Sequence, residues 1–382
     1  MGNLKEPIEL VEGKDIHLKP GLEMDDSGII PVDYKGIIDD VKKEDKLLLD
    51  DGKLELKVIA KNKEFITAKV IHGGILKSRK GLNMPGTTAS IAVITERDID
   101  YIKFAVENDI DYLALSFVRT KDDIIEAKKY VNKFNGDIPI IAKIEKPQAL
   151  ENLNSIIFAS DGIMIARGDL GIEISPERVP IVQKQIIEET NAQRKPVIVA
   201  TQMLESMITE PMPTRAEASD VANAIIDGAD AVMLSGETAA GKYPVESVKM
   251  MGLIAKNVEM SKLYKSNQYS TKAREIYEMD SQAIATAVIR MLSEIEIDAI
   301  VAFTRSGFTG KLLSKAKPSV PIVSIANNEK TCRRLNLFFG VFPYMMNFDT
   351  NFTEELLRKI DKKLIDETFL DAGDKIIITG GI

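Results

Sequence analysis

Charged residues directly follow two apolar stretches of this chain: Ile138-Pro139-Ile140-Ile141-Ala142 leads into Lys143-Ile144-Glu145, and Gly162-Ile163-Met164-Ile165-Ala166 leads into Arg167-Gly168-Asp169-Leu170-Gly171. Each apolar stretch has the length and composition of a buried strand. In proteins built from βα repeats the carboxyl ends of parallel strands form one face, so we expect Lys143, Glu145 and Asp169 to converge there. Two carboxylates and one ammonium suit a divalent cation and an anionic substrate, which indicates phosphate or enolate chemistry.

The composition is that of a globular protein and argues against several functions. The 382 residues are 45% hydrophobic and 28% charged, with a formal net charge of −8 and a single cysteine, Cys332. The negative charge argues against nucleic acid or membrane partners, and no apolar run reaches the roughly 18 residues of a spanning helix. Without an intrachain disulfide, a cytoplasmic location is expected. His17 and His72 lie far from the acidic strand ends, which argues against a Ser-His-Asp triad or a His-rich zinc site.

Changes in patterning along the chain predict three domains. The first region has short alternating runs and no helical pattern, and Leu47-Leu48-Leu49 and Leu54-Glu55-Leu56 flank a hairpin signal at Asp50-Asp51-Gly52-Lys53. The predicted domains are a small β domain at 1–85, a βα domain at 86–258 and an α/β domain at 259–382.

The middle region carries the pattern of repeated βα units. Thr95-Glu96-Arg97-Asp98 has capping-box spacing and predicts a helix that continues to Val106. The predicted strands are 111–118, 138–144, 162–167, 196–202 and 230–234. Strands at this spacing fit either a doubly wound parallel sheet or part of an eight-stranded (β/α) barrel in which three strands are not accounted for.

The last region reads as a linker followed by a second βα series. Residues 259–280 are polar and predict a linker with a short helix. The other elements predicted here are a helix at 281–294, strands at 298–303, 320–325 and 375–379, and one helix after each of the first two strands.

Each candidate residue also has a purely structural explanation. Glu145 and Asp169 suit magnesium, which takes one or two protein carboxylates, but strand-end carboxylates also cap helices. Lys143 suits a phosphoryl group or a developing enolate, but it also has the spacing of a salt bridge to Glu145. Thr201, at the end of the fourth strand, is either a helix cap or part of a proton relay. The loop Thr304-Arg305-Ser306-Gly307-Phe308-Thr309 combines hydroxyls, a glycine and a helix start, which suits a phosphate although it matches no Walker loop.

Seven ordered stretches resemble the pyruvate kinase family, and the resemblance runs from Met1 to Ile382. They are Lys80–Gly86, Ala114–Arg119, Ala142–Glu145, Ile165–Glu173, Ala200–Met207, Pro213–Glu217 and Met233–Thr238. The resemblance implies a (β/α)8 barrel that is interrupted after its third strand by a small β lid domain and followed by an α/β effector domain. It also implies the reaction in which phosphoenolpyruvate and ADP give pyruvate and ATP in glycolysis.

The resemblance further implies a role for individual residues. Glu145 and Asp169 would hold magnesium or manganese, Lys143 would stabilise the transferring phosphoryl group, and Thr201 would help to protonate the enolate carbon. The backbone amides of Gly168 and Asp169 would bind the substrate carboxylate. Asp51 would lie on the nucleotide side of the lid. The loop residues that would bind the phosphate of a sugar-phosphate or nucleotide effector are Thr304, Arg305, Ser306, Gly307 and Thr309.

Compared with the family pattern, this chain is expected to lack parts of the barrel. Met1-Gly2-Asn3 falls where the family's chain leaves the third barrel strand, so we expect three strands, a phosphate-binding arginine and the potassium ligands to be absent. At the other end, Thr379-Gly380-Gly381-Ile382 is expected to stop before the family's closing strand. The family usually forms homotetramers. We therefore expect an incomplete site without turnover by this chain alone. The alternatives are a magnesium-dependent lyase or aldolase acting on pyruvate enolate, and an inert barrel whose last domain alone binds an effector.

Overall fold

The computed structural model describes part of the chain, namely residues 1–50, 52–86, 93–261, 264, 276–348 and 354–380. Within these ranges we find no helix that combines the length and the apolar composition of a membrane span.

The amino-terminal region is a small β domain. Its strands are β1 (Ile8–Leu10), β2 (Asp15–Pro20), β3 (Ile30–Val32), β4 (Lys46–Leu49), β5 (Leu54–Lys61), β6 (Ile66–His72), β7 (Gly74–Leu76) and β8 (Leu82–Asn83). Six of them form one sheet in the order β3-β2-β6-β5-β4-β8, and β1 pairs with β7. The predicted hairpin is confirmed, because β4 and β5 are antiparallel with Leu49 opposite Leu54. A single helical turn, α1 (Ile37–Asp40), was not predicted, since four residues are too few to show a helical period.

A parallel sheet forms the middle of the molecule. Its strands are β9 (Leu113–Leu115), β10 (Ile140–Ile144), β11 (Gly162–Ala166), β12 (Val197–Ala200) and β13 (Ala231–Met233). Within the described residues these five strands are neighbours in sequence order, from β9 at one edge to β13 at the other. A doubly wound sheet would reverse its strand order, so this arrangement is the wall of a (β/α) barrel.

Helices precede and follow the strands of this wall. They are α2 (Glu96–Glu107), α3 (Lys121–Lys133), α4 (Pro147–Glu151), α5 (Leu153–Ala159), α6 (Arg167–Ile174), α7 (Val179–Ala192), α8 (Arg215–Ile226), α9 (Gly236–Ala239) and α10 (Pro244–Met260). The short helices α4 and α6 lie at the carboxyl ends of the strands, where they line clefts. The predicted capping box is confirmed, because the Thr95 side chain accepts a hydrogen bond from the Asp98 amide and Asp98 caps the Thr95 amide in return. Every residue of β11 and β12 is buried, since helices cover one face and the barrel interior the other.

The carboxyl-terminal region is a three-layer α/β domain. Its strands are β14 (Ala299–Thr304), β15 (Ile322–Ala326), β16 (Val341–Met345) and β17 (Ile376–Gly380), and its helices are α11 (Ile276–Glu294), α12 (Phe308–Lys315), α13 (Glu329–Leu335) and α14 (Glu354–Glu367). All neighbours are parallel, in the order β16-β15-β14-β17. The sequence did not predict β16. Its Pro343 argues against a central strand, and within the described residues β16 lies at the sheet edge, where proline is tolerated.

A cluster of charged residues, which we call the buried ion cluster, joins the barrel wall to this last domain. It consists of Asn191, Asp230, Lys315 and Lys317. Lys315 Nζ donates to Asn191 Oδ1 at 2.9 Å and forms an ion pair with Asp230, and Lys317 Nζ lies 2.8 Å from Asp230 Oδ1. The side chains of Lys315 and Asp230 are both 0% exposed. Asp230 directly precedes β13, so the last domain contacts the amino ends of the barrel strands.

Candidate active site

The predicted lysine and glutamate meet at the carboxyl end of β10. Lys143 lies near the end of β10 and Glu145 directly after it. Lys143 Nζ is 2.7 Å from Glu145 Oε1 and donates to Ser116 Oγ at 2.9 Å. The Phe117 amide donates to Glu145 Oε2 at 2.8 Å. The salt bridge that offered a structural explanation for Lys143 is therefore present, and it lies at the same strand ends as the predicted site.

A second group of contacts lies at the ends of β11 and β12. The Gly168 amide donates to Thr201 Oγ1 at 2.7 Å, and Thr201 Oγ1 donates to Ala200 O at 2.6 Å. The Thr201 hydroxyl therefore accepts a hydrogen bond from the first turn of α6, rather than capping a helix that follows Thr201 in the sequence. The Gly168 amide is satisfied within the chain, so a substrate carboxylate would have to displace this hydroxyl to bind it.

Arg167 holds the backbone after β12 in an unusual conformation. Thr201 and Gln202 both have left-handed φ values, 68° and 53°, which cost a residue with a side chain about 1–2 kcal/mol each. Arg167 Nη2 donates to the carbonyl oxygens of Thr201 and Gln202 at 3.0 Å, and Nη1 forms an ion pair with Asp220 on α8 at 2.5 Å. Because the guanidinium is 8% exposed, it orients Thr201 from below the surface rather than from solvent.

A third set of contacts links the ends of β10 and β11 to the β domain. Lys146 Nζ lies 2.5 Å from Glu173 Oε1 on α6, and Asn83 Nδ2 at the end of β8 donates to the same oxygen at 3.3 Å. The Glu173 side chain is 2% exposed. The β domain is thereby joined directly to the strand ends of the barrel wall.

Two clefts open between the β domain and the strand ends. One of about 1140 Å³ is lined by Gly52 and Lys46 on the β domain and by Arg167, Gly168 and Glu173 on the barrel side. The other, of about 560 Å³, is lined on the barrel side by residues including Ser116, Phe117 and Lys146. Asp51, which was assigned to the nucleotide side of the lid, lies outside the described residues.

The donor set fits magnesium better than zinc. No group of three or more His, Cys, Asp and Glu side chains suited to a metal occurs within the described ranges. Glu145 is 1% exposed and already holds a positive charge in the Lys143 ammonium, and Asp169 lies in the first turn of α6. Mg²⁺ takes one or two carboxylates from a protein and structural zinc takes four side chains, so Glu145 and Asp169 could serve as magnesium ligands.

The predicted effector loop joins β14 to α12. Gly307 has φ = 84° and precedes the first turn of α12, a position that favours glycine. Thr304 is buried, whereas Arg305 and Ser306 are exposed. The loop follows β14, which has β15 on one side and β17 on the other, so it lies at the switch point where open α/β sheets bind ligands.

The sequence analysis did not identify the residues that form hydrogen bonds or ion pairs with Lys143, Thr201 and Lys146. Ser116, Arg167 and Glu173 lie inside the recognised stretches, but nothing in their spacing shows that they contact Lys143, Thr201 and Lys146. An arginine that directly follows a fully apolar strand was the one available signal, because a buried charge requires partners.

Comparison with known families agrees with this architecture. Residues 1–248 match the family model described as pyruvate kinase, barrel domain, and residues 282–382 match the model described as pyruvate kinase, alpha/beta domain. The chain belongs to the pyruvate kinase family.

Curated pyruvate kinases resemble the chain over nearly its whole length. It is 43% identical to pyruvate kinase of Bacillus licheniformis over 377 residues, which is 98% of this chain and 64% of that protein. It is 41% identical to the pyruvate kinases of Thermococcus litoralis and Thermotoga maritima. Each of these alignments covers 99% of this chain, and they cover 81% of the Thermococcus protein and 80% of the Thermotoga protein. The chain thus spans less than two thirds of the length of the Bacillus relative.

Proposed function

We propose that the strand-end site takes part in magnesium-dependent transfer of a phosphoryl group from phosphoenolpyruvate to ADP. The observation that carries this proposal is the position of Lys143, whose ammonium lies between Ser116 Oγ and Glu145 Oε1 at the strand ends. Phosphoryl transfer depends mostly on positioning and on neutralising negative charge, and an ammonium fixed by two partners supplies both.

The residues around Lys143 would have complementary roles. Glu145 and Asp169 would hold Mg²⁺, which when bound would neutralise charge on the phosphoryl group and the substrate carboxylate. The amides of Gly168 and Asp169, at the start of α6, would bind that carboxylate, which the helix amino terminus also favours. Lys143 would stabilise the negative charge that develops as the phosphoryl group leaves.

Thr201 would act in the last step, the protonation of the enolate carbon. Its hydroxyl lies between the Gly168 amide and the Ala200 carbonyl, and it is oriented by a backbone that Arg167 holds. This arrangement would keep a proton-carrying group next to the site of the substrate carboxylate. Once the substrate carboxylate displaces the Thr201 hydroxyl from the Gly168 amide, the hydroxyl would keep Ala200 O as the acceptor of its proton, from which the proton could be redirected.

Further parts of the proposal come from the family alone. Asp51 would approach the nucleotide, and a sugar-phosphate or nucleotide effector would bind at Thr304, Arg305, Ser306, Gly307 and Thr309. Magnesium or manganese would be the divalent cation, and potassium would be a second cation of the family whose ligands are expected to be absent from this chain. The protein would act in the cytoplasm as a homotetramer.

The test is pyruvate formation from phosphoenolpyruvate with Mg²⁺, measured with ADP and with ADP omitted. ADP-dependent pyruvate is the outcome that supports the proposal, and Lys143→Met should then lower its rate by a factor of about 10²–10³, because one electrostatic stabiliser is worth that much in rate. Lys128→Met is the control, since Lys128 forms its ion pair with Asp161, away from the strand-end site. Asp169→Ala should shift the Mg²⁺ dependence by about tenfold or more.

If turnover is too slow to follow, Mg²⁺-dependent binding of phosphoenolpyruvate replaces it as the readout. Pyruvate that forms equally well without ADP would indicate a lyase or phosphatase instead. An unchanged rate in Lys143→Met, or the absence of both turnover and substrate binding, would contradict the proposal.

A further inference from the structure

A second, smaller cavity lies between the barrel wall and the last domain, at the end of the strands opposite the candidate active site. Its volume is about 250 Å³. The barrel side is formed by residues at or just before the starts of strands, namely Tyr112, Pro139, Asp161 and Lys195. The other side is formed by Ser306, Lys311, Thr331, Arg334 and Phe338 of the last domain.

Two cations in this cavity have unused hydrogen-bonding capacity. Lys311 forms no hydrogen bond or ion pair with any described residue, and its ammonium lies 5.5 Å from the centre of the Phe338 ring. Arg334 Nε is buried without a hydrogen-bond partner among the described residues. The other nitrogens of Arg334 reach Asp137 only at 3.2–3.4 Å. A buried donor without a partner is costly, which makes both groups candidates for a missing acceptor.

The remaining polar groups of the cavity are already occupied. Asp161 accepts from Lys128 Nζ and from the Ile140 amide, at 3.0 and 2.8 Å. Lys195 Nζ donates to three backbone carbonyl oxygens at the end of α5. Tyr112 donates its hydroxyl to the Arg334 carbonyl oxygen at 2.8 Å, and burial raises the pKa of Tyr112 to about 12, so it stays neutral. Positive charge therefore exceeds negative charge in the cavity.

We propose that this interdomain cavity binds a phosphate group, held by Lys311 and Arg334 with the Ser306 hydroxyl as a further donor. The phosphate would come from inorganic phosphate or from a small phosphorylated metabolite. The cavity is smaller than the roughly 300–1,000 Å³ of drug-sized pockets, which excludes a whole nucleotide. A guanidinium beside an ammonium is the side-chain pair that phosphate binding favours.

The electrostatics of Lys311 support this assignment. Burial lowers the pKa of Lys311, and the neighbouring Arg334 lowers it further, with Asp161 only partly opposing them. A bound dianion would supply the negative charge that the two cations lack. The inference goes beyond the proposed catalytic function and does not depend on it. It also differs from the effector assignment at 304–309, with which it shares only Ser306.

The test is the binding of inorganic phosphate to the whole chain, measured by isothermal titration calorimetry. The ionic strength is held constant by exchanging chloride for the added phosphate. We expect Lys311→Met to raise the Kd for phosphate about tenfold or more, as expected for a lost hydrogen bond to a charged group. Lys311→Arg keeps the charge and should bind within about threefold of the original chain, which separates lost charge from lost folding. Glycerol 3-phosphate is the second probe, and tighter binding than inorganic phosphate would identify an organic phosphate as the ligand.

A further variant locates the bound phosphate. Lys363→Met removes the same charge from the last domain, but Lys363 pairs with Glu367 on α14 outside the cavity, so its Kd should be unchanged. Equal losses in Lys311→Met and Lys363→Met would show non-specific attraction and overturn the proposal. The absence of saturable binding up to about 20 mM phosphate would overturn it as well.

Discussion

Lysine–carboxylate pairs occur at both ends of the barrel strands, and their surroundings differ. At the carboxyl ends, the Lys143 side chain is 24% exposed above a glutamate that is 1% exposed. At the amino ends, Lys315 and Asp230 are both 0% exposed. An ammonium that reaches solvent can meet a substrate, whereas a fully enclosed one can only hold two domains together. Exposure of the cation, rather than the presence of an ion pair, separates the candidate catalytic pair from the structural one.

The backbone differs between the two ends in the same way. Arg194 and Lys317, near the amino ends, have left-handed φ values of 57° and 48°, and each lies just after a helix, where this conformation is common. Phe117, Thr201 and Gln202 have φ values of 57°, 68° and 53° but follow strands. Such residues also occur in turns, as at Asp50 after β4 with φ = 50°, but at Thr201 and Gln202 they adjoin the candidate active site, where backbone strain can position reactive groups.

The largest effect is expected from removing the shared carboxylate of the buried ion cluster. Asp230→Ala would leave the buried Lys315 ammonium without its counter-charge and Lys317 with Glu259 as its nearby carboxylate, so the free energy of unfolding should fall by about 3–5 kcal/mol in urea denaturation. Asp137→Ala is the control at the same domain interface. Because Asp137 is 66% exposed, its loss should cost less than about 1 kcal/mol. A loss below 1 kcal/mol for Asp230→Ala would mean that water reaches the cluster.

The same carboxylate makes stability depend on pH. Burial alone would raise the pKa of Asp230, but Lys315 and Lys317 outweigh burial and the pKa is lowered. As pH falls, Asp230 therefore binds a proton at a higher pH in the unfolded chain than in the folded chain. Its contribution to the free energy of unfolding is fully present above the usual aspartate pKa and is lost as pH falls through the pKa of Asp230 in the folded protein. Urea denaturation on the acid side should show a shallower pH dependence in Asp230→Asn than in the original chain.

A smaller effect is expected at the carboxyl ends, and there magnesium should reduce it. Among the residues that the structure describes, Lys143→Met leaves Glu145 with the Phe117 amide as its remaining donor, and the change should cost about 1–3 kcal/mol. Added Mg²⁺ should restore part of this loss, because it supplies the missing positive charge, and thermal unfolding with and without Mg²⁺ measures it. Lys128→Met should gain nothing from Mg²⁺. A Lys143→Met protein whose melting temperature ignores Mg²⁺ would argue against Glu145 as a ligand.

The smallest effect is expected from relieving the left-handed backbone. Gln202→Gly should stabilise the protein by about 0.5–1 kcal/mol, because glycine adopts φ = 53° freely and the hydrogen bond from Arg167 to the carbonyl oxygen remains. Gln193→Gly, at a φ of −94°, should instead lower stability. Chemical denaturation of both variants measures the difference, and a loss in both would show that residue 202 carries no strain.

Much of the fold was predictable from local patterns. The five barrel strands read as continuous apolar runs, because a parallel sheet covered on both faces requires them. The hairpin at β4 and β5 and the capping box at Thr95 follow from a few adjacent residues. Strand β16 was missed, because Pro343 argues against a strand unless it is known to lie at an edge, and edge position is a property of the assembled sheet.

The candidate site divides in the same way. Lys143, Glu145, Asp169 and Thr201 could be assigned to the strand ends because their distance from an apolar run is a local feature of the sequence. Their partners could not be assigned, since Ser116 is 27 residues from Lys143 and Arg167 is 34 residues from Thr201.

By itself, the sequence determined which segments are strands and helices and which polar residues end them, because apolar periodicity and caps act over a few residues. Only the tertiary structure decided which of those residues meet. It paired Asp230 with Lys315, which is 85 residues away, and enclosed the cavity around Lys311. Such contacts depend on how helices and sheets pack across domains, and packing brings together residues whose separation along the chain carries no signal.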